Sequence, residues 1–144
     1  MTLSFLLIFT YPNLVPSHVD MAKILIVDDD PDICFVLKKL LERKGHEAVI
    51  SLNGLEAMKW LERNPFDIVI TDLLMPEMDG VELIMEMRLR YPDQNVIAIS
   101  GGGRIDADTY LKMAKLIKVK HTFQKPVRAD ELLKAIDDLL SGKS

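Results

Sequence analysis

The residues best suited to chemistry in this chain are acidic and crowded together. Asp28, Asp29 and Asp30 stand side by side in KILIVDDDPD, residues 23–32, directly after an apolar run. Two unit charges about 4 Å apart repel by ~4 kcal/mol at an effective dielectric near 20. A domain whose net stability is only ~5–15 kcal/mol does not keep such repulsion idly. Either the side chains fan out into water, or a cation lies among them. Other reactive groups also end apolar runs: Thr71 and Asp72 close FDIVITD, Ser100 closes NVIAIS, and Lys125 follows HTFQ. Clustered carboxylates are hard oxygen ligands suited to Mg2+, which keeps several waters and takes few protein carboxylates. A carboxylate can also attack phosphorus, giving an aspartyl phosphate. Lysine and a hydroxyl can then hold phosphoryl oxygens while a metal offsets transition-state charge.

Such chemistry requires the groups to meet, so the elements carrying them matter. From Lys23 onward, five apolar runs alternate with helical patterns: KILIV (23–27), EAVISL (47–52), FDIVIT (66–71), NVIAIS (95–100) and HTFQ (121–124). The first, third and fourth are apolar enough to be buried on both faces, as strands of a parallel sheet are; the fifth is the weakest strand signal. Between them, Ile33, Leu37, Leu40 and Leu41 repeat at helical spacing, as do Tyr110, Met113, Ala114 and Ile117, then Leu132, Ile136, Leu139 and Leu140. Asp30-Pro31 reads as an N-cap followed by proline at the first helical position. Asn53 with Glu56, and Asp79 with Glu82, have capping-box spacing, and Gly45 after Lys44 reads as a C-cap. Strict β-α alternation predicts an α/β fold, a doubly wound five-stranded parallel sheet with right-handed crossovers. In such sheets ligands sit outside the carboxyl ends of the strands, where Asp28, Asp29, Asp72, Ser100 and Lys125 would converge.

Composition narrows the alternatives. A chain of 144 residues holds one domain with a sizeable core. Apolar residues at 49% and charged residues at 28% make a globular mixture. A net charge of −4 gives no global pull toward nucleic acid or anionic membrane. The single cysteine, Cys34, cannot form an internal disulfide and suits a reducing, cytoplasmic compartment. The apolar stretch Leu3–Phe9 is far short of the ~20 residues of a membrane span and has neither the basic flank nor the cleavage site of a signal peptide. Pro12 and Pro16 then break regular structure. Residues 1–20 read as a leader or disordered extension, ahead of a segment packing on the domain or a partner, with export the poorest fit. Met21 restarts the chain as MAKILIV.

Taken in order, DDDP after the first strand, TDLLMPEMDG after the third, IAISG at the fourth and QKP at the fifth resemble the receiver domain of two-component response regulators, of the chemotaxis-type single-domain kind. Each motif alone is weak; together they are specific, and they run from about Lys23 to Leu140. The resemblance implies a flavodoxin-like (βα)5 fold, strand order 2-1-3-4-5, over residues 21–144. It implies Asp72 as phosphoacceptor, Asp29 as direct Mg2+ ligand, Asp28 as its partner and Leu74 as donor of a backbone carbonyl to the metal. Ser100 and Lys125 would hold the phosphoryl group, and the bond before Pro126 would be cis. It also implies partners: a sensor histidine kinase or phosphotransfer protein, and a downstream target at the face of helix four, strand five and helix five. No nucleic acid or membrane contact, a monomer or weak dimer, and no independent substrate are expected. With only SGKS after the last helix, output by protein contact is expected.

Plainer readings stand beside these. Asp30 and Asp79 read as helix caps rather than ligands. SGGGRID matches no phosphate-loop pattern, and flexibility of a rearranging loop accounts better for Gly101, Gly102 and Gly103. His18, His46 and His121 have no metal-ligand spacing. Trp60, Met85, Met87 and Met113 read as helix packing, and Cys34 as a small core or boundary residue. Lys112, Lys115, Lys118 and Lys120 read first as a solvated face. Three positions depart from the receiver pattern: Thr122 where an aromatic is common, apolar Leu74 two after the acceptor, and Lys118-Val119 where Gly-Ala is usual. A rival enzyme, an aspartate-nucleophile phosphohydrolase using Asp28-x-Asp30, leaves Asp72 without a role and lacks a cap. A third reading is a receiver that only binds partners, which the full set of reactive residues argues against.

Overall fold

A strand covered on both faces must be apolar along most of its length, and three strands of this protein meet that condition. In the computed structural model, which describes residues 21–75, 78–101, 107–116 and 118–142, strands β1 (Lys23–Val27), β3 (Ile68–Asp72) and β4 (Asn95–Ser100) are buried almost throughout. β2 (Glu47–Ser51) and β5 (His121–Gln124) lie at the edges and are more exposed. The sheet order is β2-β1-β3-β4-β5, with every neighbouring pair parallel. This is the flavodoxin-like doubly wound order expected above. β3 begins at Ile68 rather than Phe66, and it extends to include Asp72.

Side chains alternate about each strand, so every central strand feeds two cores. Leu25, Val27, Val69, Val96 and Ala98 point into one, against helices α2 (Gly54–Arg63) and α3 (Gly80–Arg90), with Leu111 of α4 (Ala107–Leu116) packed at its margin. Ile24, Ile26, Ile68, Ile70, Ile97 and Ile99 point into the other, against α1 (Pro31–Arg43) and α5 (Ala129–Leu140). Burying one such aliphatic side chain is worth ~1.5–3 kcal/mol, so the two cores together fix the register of the sheet and the height of each strand end.

The helix starts form where the sequence places caps. Asp30 accepts a hydrogen bond from the Asp32 N–H, Asn53 from the Glu56 N–H and Asp79 from the Glu82 N–H. Each satisfies one of the otherwise unpaired N–H groups of a first helical turn. Gly45, at φ +89°, turns the chain out of α1. Met87 is fully buried, whereas Met85 and Met113 are exposed, so only the first of these three packs in the core. Cys34 is buried in the α1–α5 core, and Trp60 is half-buried against the other. Residues 1–20 lie outside the described residues, as do Gly102, Gly103 and the residues that follow to 106. No helix among the described residues is long and apolar enough to cross a membrane.

Candidate functional site

The strand order reverses at β1 and β3: the chain leaves β1 toward the β2 edge and later returns to β3 on β1's other side. A crevice opens outside the carboxyl ends at such a point. β1 delivers Asp28 and Asp29 there, and β3 delivers Asp72. Asp28, Asp29 and Asp72 each offer a carboxylate oxygen, and these oxygens all lie within 4.8 Å of one another. Asp28 and Asp72 are only 3% and 5% exposed, while Asp29 faces solvent. Asp29 and Asp30 turn to water but Asp28 and Asp72 do not, so fanning out relieves only part of the crowding.

A cation from β5 enters the same cluster. Lys125 Nζ lies 2.9 Å from Asp28 Oδ2 and 3.3 Å from Asp72 Oδ2. Its backbone is tied to β4, the Lys125 N–H donating to the Ser100 carbonyl at 2.7 Å. The Lys125–Pro126 bond is cis, as the resemblance implies. Ser100 is fully buried at the end of β4, and its hydroxyl has no hydrogen-bond partner among the described residues. An orphaned buried hydroxyl is costly unless a further group arrives to pair with it.

The carboxylates are held from behind. The Asp30 N–H donates to Asp28 Oδ1 at 2.9 Å, and the Leu74 N–H to Asp72 Oδ1 at 3.3 Å. Thr71 Oγ1 donates to the Asp72 carbonyl, and Cys34 Sγ to the Asp28 carbonyl. Gly80, the first residue of α3, abuts the Asp72 backbone so closely that a Cβ there would overlap the Asp72 carbonyl oxygen. Cys34 carried no sequence signal for this support and Gly80 entered only as the last residue of TDLLMPEMDG, because both contacts depend on how helices close over strand ends.

The electrostatics follow from burial and neighbours. Burial and then the Asp28 charge raise Asp72 to about 6, although Lys125 and the Leu74 N–H oppose them. Burial alone would lower Lys125, but its hydrogen bond to Asp28 and the charges of Asp72 and Asp28 outweigh it and leave it raised. Burial and the Asp28 charge push the Cys34 thiol up to about 11, so it remains a neutral donor. Asp72 is thus an anion held against desolvation with one ammonium shared between it and Asp28. A second, harder cation fits that unbalanced set of oxygens, and Mg2+ suits their number and kind.

Other expected residues fall elsewhere. Asp30 stays engaged at the start of α1 and is not one of the three clustered acids. Asp79 caps α3. His46 accepts from the Ala22 N–H, far from the acids at the other end of β1. Phe123 does not stand in for the aromatic absent at Thr122: it packs against the α1–α5 core, and alternation turns Thr122 to the opposite face.

A model of the family described as response regulator receiver domain matches residues 24–137. Transcriptional regulatory protein GlrR of Escherichia coli (strain K12) is 38% identical over 120 residues, which is 83% of this chain but 26% of that protein. Sporulation initiation phosphotransferase F of Bacillus subtilis (strain 168) is 30% identical over 122 residues, 85% of this chain and 96% of its own length. A crystal structure of a response regulator receiver domain protein from Clostridium thermocellum superposes with a TM-score of 0.76 at 32% identity, covering 85% of this chain and 96% of that one. The chain therefore spans 26% of the transcriptional regulator it matches and almost all of the phosphotransferase.

Proposed function

The chain belongs to the receiver domains of two-component response regulators, and from that premise we propose that it accepts a phosphoryl group on Asp72 and signals through partner contacts. The observation that carries this reading is the meeting of Asp28, Asp29 and Asp72 oxygens within 4.8 Å, with Lys125 Nζ 3.3 Å from the acceptor. In the proposed step an Asp72 carboxylate oxygen attacks the phosphorus of a phosphohistidine on a kinase or phosphotransfer protein. The P–N bond breaks, its electron pair returns to the imidazole, and an acyl phosphate forms on Asp72. Asp28, Asp29 and Asp72, with the Leu74 carbonyl, would hold Mg2+. Bound there, the ion would offset the negative charge that builds up during transfer.

The chain's own residues do the rest. Lys125 is already beside the acceptor and would shift toward the incoming phosphoryl oxygens. The unpartnered Ser100 hydroxyl would donate to one of them, which couples the event to the backbone after β4. On the side of α4, β5 and α5, Lys112, Lys118 and Lys120 are exposed and would meet an acidic surface of a downstream protein. The domain would act in the cytoplasm as a monomer or weak dimer over residues 21–144, with no independent substrate. The name of the B. subtilis relative, a phosphotransferase, supports a place in a phosphoryl relay.

The direct test is acetyl phosphate with Mg2+, read by intact mass. One phosphoryl addition is expected on the parent, with none on Asp72→Asn and none when the metal is chelated. Labelling that survives Asp72→Asn would sink the assignment.

A further inference from the structure

We propose that the apolar face of α1 beside the turn after β5 is a docking site for residues 3–9 of this same chain. Ile33, Val36 and Leu40 stand at i, i+3 and i+7, so they share one side of α1. Ile33 and Leu40 are half-buried against the α1–α5 core, whereas Val36 is 64% exposed and Phe35 beside it 58%. The face runs into a cavity of about 570 Å³, with apolar walls from Ile33, Val36 and Leu37 of α1 and from Pro126 and Val127 after β5. Sites that enclose small organic molecules measure ~300–1,000 Å³, so this one has room for large side chains of a peptide. Apolar surface gathered in this way marks a contact that another segment or molecule completes.

The occupant follows from where the chain enters the fold. Ala22 is buried in the α1–α5 core; its N–H donates to His46 Nδ1 at 3.2 Å and its carbonyl accepts the Glu47 N–H at 2.9 Å. His46 and Glu47 follow directly on the turn out of α1, so the chain comes in at the foot of α1 and in its layer. The 13 residues of α1 rise ~20 Å, and residues 10–20 can span up to ~36 Å. Residues 3–9, LSFLLIF, therefore reach every part of the exposed face. They carry no charge, which suits apolar walls. A second exposed apolar pair, Met85 and Leu89 of α3, belongs to the layer on the other side of the sheet. Its cavity is shared with Lys118 and Lys120, and those charges call for an acidic occupant instead. Tethering adds to the match, since a short linker holds its segment at an effective concentration in the mM range.

The test uses the full chain. A nitroxide attached at Ser4→Cys, with buried Cys34 left unmodified, should broaden the amide resonances of residues 33–40 and 126–127 and spare those of α3. Adding Val36→Asp should abolish that pattern. Leu7→Asp should abolish it too; lying outside the sheet and helices, it keeps the test decisive if Val36→Asp folds poorly. A mixture of isotope-labelled protein without nitroxide and unlabelled protein with it reads contacts between copies. Broadening of α1 in that mixture would make a second copy the occupant and overturn the proposal. So would broadening centred on Met85 and Leu89, or none on α1, which would leave the face to a separate partner. Chymotrypsin gives an independent measure. Phe5 and Phe9 should be cut about 10-fold more slowly in the parent than in Val36→Asp, because cleavage follows the population of the opened state. Equal rates of cutting would sink the idea.

Discussion

Asp72, the proposed acceptor, is held in the fold at an energetic cost. Its pKa is raised from the ordinary carboxylate range to about 6, mainly by burial and then by Asp28. An acid that binds protons more readily when folded stabilises the fold below its unfolded pKa, and that contribution is lost as pH rises through about 6. Above that pH the ionised side chain is a standing cost, on the order of 2 kcal/mol for a shift of this size. In chelator, Asp72→Asn should therefore be more stable than the parent by about 2 kcal/mol at pH 7.5 and no more stable at pH 4. Urea denaturation at the two pH values checks this, and a gain that did not vary with pH would contradict it. Leu74 belongs to the same neighbourhood: its N–H holds Asp72 Oδ1, and its side chain lies partly buried against the α2–α3 core. An apolar group there would shield the proposed acyl phosphate from water. Leu74→Asn should shorten the lifetime of phosphorylated protein several-fold, followed by loss of the phosphoryl mass after the donor is removed.

Elements explain what the departures from the family pattern mean. Lys118 takes φ 64°, the left-handed conformation for which glycine is suited, just before β5. A non-glycine residue pays ~1–2 kcal/mol there. The turn is held by Arg88 of α3, whose guanidinium donates to the Gln94 carbonyl at 2.7 Å and to the Lys118 carbonyl at 3.1 Å. Buried Val119 then anchors the chain before the strand. Lys118→Gly should raise stability by up to about 1 kcal/mol, the relieved strain less the extra freedom glycine gives the unfolded chain. A raised urea midpoint with an unchanged rate of phosphorylation would bear this out; a lowered midpoint would refute it. The sequence hinted at this turn only through the Gly-Ala usual where Lys118-Val119 stands, because a lysine by itself gives no sign of positive φ. The elements themselves were legible where burial on two faces made a whole run apolar, as in β1, β3 and β4. Periodicity was less informative at Met85 and Met113, whose helical spacing matched packing although both face solvent. The capping residues Asp30, Asn53 and Asp79 were readable because each acts within three residues of itself.

At the scale of the whole molecule, the sheet brings together charges that are far apart in the chain. Asp28 and Asp72 were legible as companions because both end strands that a doubly wound sheet sets side by side. That Lys125 lies nearer Asp28 than Asp72 was not, since a difference of 2.9 against 3.3 Å depends on how four strand ends settle in three dimensions. One ammonium shared by two buried acids, with a third acid at the rim, leaves net negative charge at the switch point. A divalent cation that binds only the folded arrangement must then stabilise it, by ~2.7 kcal/mol at one hundred times its dissociation constant. For a domain of this size that is roughly 10 °C in melting temperature. The variants separate metal binding from folding. Asp28 accepts the Asp30 N–H and pairs with Lys125, so Asp28→Ala should destabilise the protein even in chelator. Asp29 is exposed, so Asp29→Ala should melt within a few degrees of the parent in chelator yet show no rise with Mg2+. A full Mg2+ shift in Asp29→Ala would mean that the ion binds elsewhere, and that the three acids are not its site.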